Sequence, residues 1–175
     1  ALSRGDRRTT LAGETAPEIA GPEVRTSRGA GVTEWWRALP SGLEHGLTLT
    51  ERPAGDGELS IELEVTGLVP RLVSDDEVAL EGASGAVVAS YARLFVLDAD
   101  GAEVSARMSV RDGSIVLAVD DAAARYPLVV DPFVFVANGT LSGVQFTNDH
   151  LGASVCLSTD VTRAAVGAPL DEGDD

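Results

Sequence analysis

Between residues 59 and 66 the chain keeps a strict two-residue period: Leu59, Ile61, Leu63 and Val65 alternate with Ser60, Glu62, Glu64 and Thr66. Successive side chains of a strand point to opposite faces, so this stretch reads as a strand with one buried apolar face and one wet acidic face. That pattern belongs to antiparallel sheets packed on one side only. The same period returns in Val104, Ala106, Met108 and Val110 and in Ile115, Leu117 and Val119, and it places Leu47 and Leu49 on one face of a strand over 42–50. Apolar pieces at Leu72-Val73, at Val78–Leu80 and from Ala86 to Leu97 add further strands. Turn signals separate them. Asp98-Ala99-Asp100-Gly101 predicts a tight hairpin into the Val104 strand, and Arg111-Asp112-Gly113 a second, because Asp-Gly suits the primed turns whose twist matches paired strands. Residues 34–132 therefore read as about seven to nine short antiparallel strands, the signature of a β-sandwich or a closely related barrel. The lack of strand–helix alternation excludes a doubly wound α/β fold.

The most continuously apolar run is Ala124–Val136, which contains Tyr126-Pro127-Leu128-Val129-Val130-Asp131-Pro132 followed by Phe133-Val134-Phe135-Val136. Its β-branched and aromatic residues favour strand, and the internal prolines disfavour helix. Past it the texture changes to short pieces punctuated by Gly, Ser and Asn. The run thus reads as a seam between two β-rich modules, 34–132 and 133–175. Leu128 and Val130 would be buried in the last strand of the first module, and Asp131-Pro132 would mark the exit, since a residue before proline is held extended. Residues 1–33 show no sustained period and are expected to form a flexible tail; Trp35-Trp36 then opens the core.

At 175 residues the chain suits one domain, or a small domain plus a piece of another. Its formal charge is −15, and all 13 basic residues are Arg. Residues 38–175 hold seven Arg against 23 acids, a balance that repels nucleic acid and anionic membranes. No apolar run is long enough to insert in a membrane as a helix. The single cysteine, Cys156, excludes an intramolecular disulfide and reads as a small buried hydrophobe. The chain starts at Ala1 with no visible signal peptide, so its ends do not reveal a compartment.

Catalytic signals are thin. His45 and His150 are the only imidazoles and read as surface residues; no nucleophile elbow, nucleotide loop or zinc spacing accompanies them. Asp98 and Asp100 are weak metal candidates. Calcium takes about six to eight oxygens, no further acid follows until Glu103, and the hairpin-turn reading is preferred. Asn138-Gly139-Thr140 fits both a glycosylation acceptor and a turn. Arg4-Gly5-Asp6 spells an adhesion tripeptide short enough to arise by chance.

Residues 145–169 resemble one FG-GAP repeat, the blade motif of integrin-alpha-like β-propellers. Leu151-Gly152 stands in the Phe-Gly slot, Ser154-Val155 begins the first strand, Asp160 sits at the turn, and Gly167-Ala168-Pro169 closes the motif. The acidic calcium loop of many such repeats is missing, so neither calcium nor any other cofactor is expected. Trp35-Trp36, the stretch Leu39–Thr48 and the stretch Ala124–Pro132 are similar to the N-terminal β domain of large secreted bacterial proteins that carry such repeats. The resemblance implies a β-sandwich-like domain followed by a partial propeller blade, expected to be a fragment of a longer protein. It further implies a non-enzymatic extracellular structural or adhesion role, with a protein or glycan partner at the cell surface. The alternatives are a self-assembling surface or filament subunit, in which exposed strands of residues 133–169 pair with copies of the chain, and, third, a hydrolase.

Overall fold

The computed structural model describes residues 1–11, 16–39, 42–136, 154–157 and 164–167, and all regular structure among them is β. In chain order the strands are β1 (Leu2–Arg4), β2 (Arg7–Thr9), β3 (Glu18–Ala20), β4 (Glu23–Gly29), β5 (Val32–Leu39), β6 (Gly42–Leu49), β7 (Leu59–Glu64) and β8 (Val69–Ser74). There follow β9 (Glu77–Glu81), β10 (Val87–Leu97), β11 (Ala106–Arg111), β12 (Ser114–Val119), β13 (Leu128–Val136), β14 (Ser154–Leu157) and β15 (Ala164–Gly167). A five-stranded sheet has the order β11-β12-β7-β1-β2, and an eight-stranded sheet the order β3-β4-β5-β6-β13-β10-β9-β8. Every pairing is antiparallel.

The two sheets share one core. Leu2, Leu59, Ile61, Met108, Ile115, Leu117 and Val119 of the smaller sheet pack with Val32, Leu47, Leu49, Val78, Val96, Leu128 and Val130 of the larger. The β-sandwich-like architecture expected from the alternating pattern is therefore present. Leu128 and Val130 are both 0% exposed, as the seam reading requires of them.

Two expectations are corrected. Residues 1–33 are not a featureless tail. β1 and β2 extend the smaller sheet, and β3 and β4 extend the larger. The Gly29-Ala30-Gly31 cluster is a hairpin turn, in which all three residues have positive φ, at 72°, 49° and 70°. Glycine on either side of Ala30 makes that left-handed run affordable, and the run lets β5 fold back on β4. Arg4 of the adhesion-like tripeptide is only 3% exposed, because its guanidinium lies against Asp121 (2.5 Å) inside the fold.

The turn at residues 98–101 forms the expected hairpin in short form. The amide of Gly101 donates to the carbonyl of Asp98 at 3.0 Å, Leu97 bridges Glu103 antiparallel, and the amide of Val104 donates to the carbonyl of Val96 at 2.9 Å, before β11 leaves for the other sheet. The chain crosses there from the larger sheet to the smaller. The hairpin at residues 111–114 also forms; Asp112 and Gly113 both have positive φ, as a type I′ turn demands.

Asp131-Pro132 is not an exit either. β13 runs on to Val136 in the same sheet, with Phe133 and Val134 paired to both β6 and β10. A proline in a central strand lacks a ladder donor. Pro132 has no partner in either register, and β10 bulges opposite it, so that Ala92 faces Phe133 and the next pair is Phe95 with Asp131. The resulting slack shows in Arg93, whose φ is 57° and whose amide donates to the carbonyl of Asp76 at 3.0 Å. β14 and β15 pair with each other as a separate two-stranded sheet.

Arg4 and Asp121 are both buried, so removing Arg4 leaves the Asp121 carboxylate with only the Tyr126 hydroxyl and a longer contact to Arg52 at 3.6 Å. We expect Arg4→Ala to cost about 3–5 kcal/mol in urea unfolding at neutral pH. A loss below about 1 kcal/mol, the scale of an exposed pair, would show that β1 is as dispensable as a tail.

Candidate functional site

A polar chain crosses the inner face of the larger sheet beside the apolar core. In β6, His45 has the same parity as Leu47 and Leu49, so the strand turns all three the same way. In register, His45 faces Trp36 and Leu47 faces Glu34. The imidazole, 3% exposed, lies flat under Trp36 with ring centroids 4.1 Å apart. Its Nε2 is 3.0 Å from Glu34 Oε1, and its Nδ1 is 2.6 Å from Tyr91 Oη on β10. A carboxylate can only accept, so Nε2 carries the proton; in the neutral ring, the Tyr91 hydroxyl donates to Nδ1. Glu34 also pairs with Arg28. The expectation that His45 is a surface residue is thereby overturned. Its signal in the sequence was its phase with Leu47 and Leu49.

Electrostatics follow from these contacts. Burial disfavours the charged form of Glu34, but the hydrogen bond and charge of His45, together with Arg28, outweigh it and hold the carboxyl at about 2. Burial pushes Tyr91 well above its usual value, and the Glu34 and Asp131 carboxylates push in the same direction.

On the outer face Glu23, Arg37 and Glu44 stand opposite one another across β4, β5 and β6. Arg37 donates to both carboxylates at 2.8 Å, and its guanidinium lies 5.2 Å from the Trp35 ring. Trp35 in turn covers Gly46, where a Cβ would overlap the indole, so the glycine is there for close approach. Asp131 shares this face. Burial, then the charge of Glu44, raises its carboxyl to about 6 against a partial offset from Arg37.

A second buried group ties the smaller sheet to the connection before β13. Asp121 accepts from Arg4 and from the Tyr126 hydroxyl (2.6 Å), and Arg52 caps the carbonyl of Asp121 at 2.6 Å. These interactions outweigh the burial of Asp121 and keep its carboxyl below the usual range.

The weak metal candidates are occupied by the fold. Asp98 Oδ1 accepts from the amides of Asp100 and Ala102, both at 2.9 Å, and Oδ2 from that of Arg125 at 3.2 Å, while Asp100 pairs with the Arg125 side chain. Among the described residues no group of three metal-ligating side chains occurs. Of the FG-GAP-like positions, Ser154 pairs with Gly167 and Val155 with Val166 at the ends of β14 and β15. Leu151, Gly152, Asp160, Ala168 and Pro169 lie outside the described residues, as do His150 and the Asn138-Gly139-Thr140 triplet. Among the described residues two open grooves stand out. One, of about 380 Å³, is lined by Asp76, Glu77, Ser90, Ala92, Arg93 and Phe135. The other, of about 430 Å³, lies on the outer face of the smaller sheet beside Arg107 and Arg111.

Comparison with protein-family models, with curated proteins and with solved structures returns no match to this chain.

Two pH effects follow. Glu34 has a folded pKa below its unfolded value, so its stabilisation is full above 4.5 and lost as pH falls toward about 2. Glu34→Gln is expected to lower stability at pH 7 by on the order of 2 kcal/mol and to flatten the acid limb of a urea-midpoint against pH curve; an unchanged limb would contradict the pairing. Asp131 has the opposite sign. Its folded pKa is raised, so stability falls as pH rises from 3.8 through about 6. Asp131→Asn should therefore raise Tm at pH 7.5 and leave it nearly unchanged at pH 4, as read by calorimetry.

Proposed function

We propose that this chain is a non-enzymatic, extracellular structural or adhesion module: a rigid β-sandwich-like scaffold that presents FG-GAP-like repeats to a protein or glycan partner. The observation that carries the reading is where the buried ionisable groups point. Glu34 is closed by His45 and Arg28, Asp121 by Arg4 and Tyr126, and Glu23 by Arg25 and Arg37. Apart from Glu23 with Arg25, which lie on one strand, and Asp121 with Tyr126, which lie in one connection, these pairs join different elements of the scaffold, and none of these residues lines either groove. A general base must reach the proton it abstracts, and His45 lies beneath Trp36. The start of β14 at Ser154 and the end of β15 at Gly167 are compatible with the repeat motif.

The self-assembly alternative loses part of its basis. Phe133 and Val134, counted among its exposed strands, are paired on both sides in the sheet interior.

A display module has no turnover of its own. Purified chain incubated with chromogenic esters, glycosides and peptides should release no product above buffer, while retaining saturable binding to some member of a panel of immobilised matrix proteins and glycans. Hydrolysis that disappears in His45→Gln would overturn the reading.

A further inference from the structure

The groove beside the β10 bulge combines features that the scaffold itself does not require. It is lined by Ser90, Ala92 and Arg93 of β10, by Asp76 and Glu77, and by Phe135 of β13. The Arg93 guanidinium lies 4.6 Å from the centroid of that ring. Nine of the thirteen arginines form carboxylate pairs among the described residues; Arg93 does not, and its side chain is exposed. This cation–π contact anchors the guanidinium over the ring while its N–H groups remain able to donate. The lining also holds acceptors. Asp76 Oδ1 takes one bond from Ser74 Oγ at 2.8 Å, and the Glu77 carboxylate has no partner among the described residues.

The backbone supports the same assignment. Arg93 holds a left-handed conformation that a glycine would adopt without cost, yet a long side chain occupies it. A bulge re-aims one side chain out of the ladder, and such strained positions persist where the re-aimed group is used.

A ligand for this groove must meet one cation, two carboxylates, a hydroxyl and an aromatic ring within a hollow of about 380 Å³. An anion would gain Arg93 but face Asp76 and Glu77 in a chain of net charge −15. An apolar ligand would leave those polar groups unmatched. A neutral polyhydroxylated ring satisfies all of them: its hydroxyls donate to Asp76 and Glu77 and accept from Arg93, and its C–H groups pack against the Phe135 side chain. We propose that this groove is a binding site for a neutral hexopyranose unit of a glycan. The assignment rests on the display reading above and specifies its partner.

Saturation-transfer NMR on the whole chain tests it, with methyl pyranosides of glucose, galactose and mannose as neutral probes and methyl glucuronide as the anionic one. At least one neutral probe should receive saturation. Arg93→Gly should abolish that signal while raising Tm by roughly 2–4 °C, since the strain is relieved; the rise shows that the loss is not unfolding. Glu77→Gln should weaken the neutral signal several-fold without lowering Tm. Absence of transfer to every neutral probe, preference for the glucuronide, or an unchanged signal in either variant would each overturn the proposal. The display reading would survive those results, whereas cleavage of a glycoside probe would overturn that reading instead.

Discussion

Pro132 sits in a strand with neighbours on both sides, a position where its missing N–H ought to break the sheet. The fold keeps the strand by letting β10 absorb the defect. The register slips by one residue between Ala92 and Phe95, and the amide of Arg93 turns to the carbonyl of Asp76 instead of the ladder. Beyond the slip the pairing resumes, so Phe133 and Val134 remain inside the larger sheet. The same defect carries Tyr91 and Val96 onto the inner face, although five residues apart would ordinarily place them on opposite faces. Tyr91 reaches His45 because of that phase change, and Arg93 reaches the surface for the same reason.

The polar chain from Arg28 through Glu34 and His45 to Tyr91 then has a structural meaning. It links side chains from β4, β5, β6 and β10 at a place where the apolar core gives way to polar groups. Apolar contacts alone specify a sheet register weakly where one aliphatic residue can replace another. An imidazole with two fixed partners does not tolerate a slip, since a shift by one residue would turn His45 to the opposite face. Arg4 and Asp121 act similarly on the smaller sheet, locking the first strand to the connection that leads into β13. Both devices explain why so acidic a chain buries carboxylates: each is matched by an arginine or a histidine from a different strand.

What the sequence made legible was periodicity. The alternation at 59–65 and 115–119, the phase of Leu47 with Leu49, the Asp112-Gly113 turn and the burial of Leu128 and Val130 all follow from local pattern. What it hid was of two kinds. Short strands such as β1 and β3, three residues each, carry too few side chains to show a period, and only their partners define them. Gly29-Ala30-Gly31 resembles linker composition until its neighbours are seen to pair. The second kind is non-local. Nothing near Pro132 announces a bulge forty residues earlier in the chain, and nothing near Asp121 names Arg4 as its partner. His45 belongs between these kinds, because its phase was visible and its partners were not.

The seam accordingly changes position and character. A module boundary at residue 132 would cut β13 between two bridged segments and expose the backbone of Phe133 and Val134, each of which pairs on both sides. Breaking paired strands in a sheet interior costs far more than ending one at an edge. The first module therefore includes Phe133–Val136, together with the strands that precede Trp35. Phe133 and Phe135 consequently belong to the sandwich, with ring centroids 4.4 Å apart on its outer face. The half-buried Phe135 ring beneath Arg93 is thus positioned by the same strand ladder that buries Leu128 and Val130, so the groove beside the bulge is built mainly by strands of the sheet.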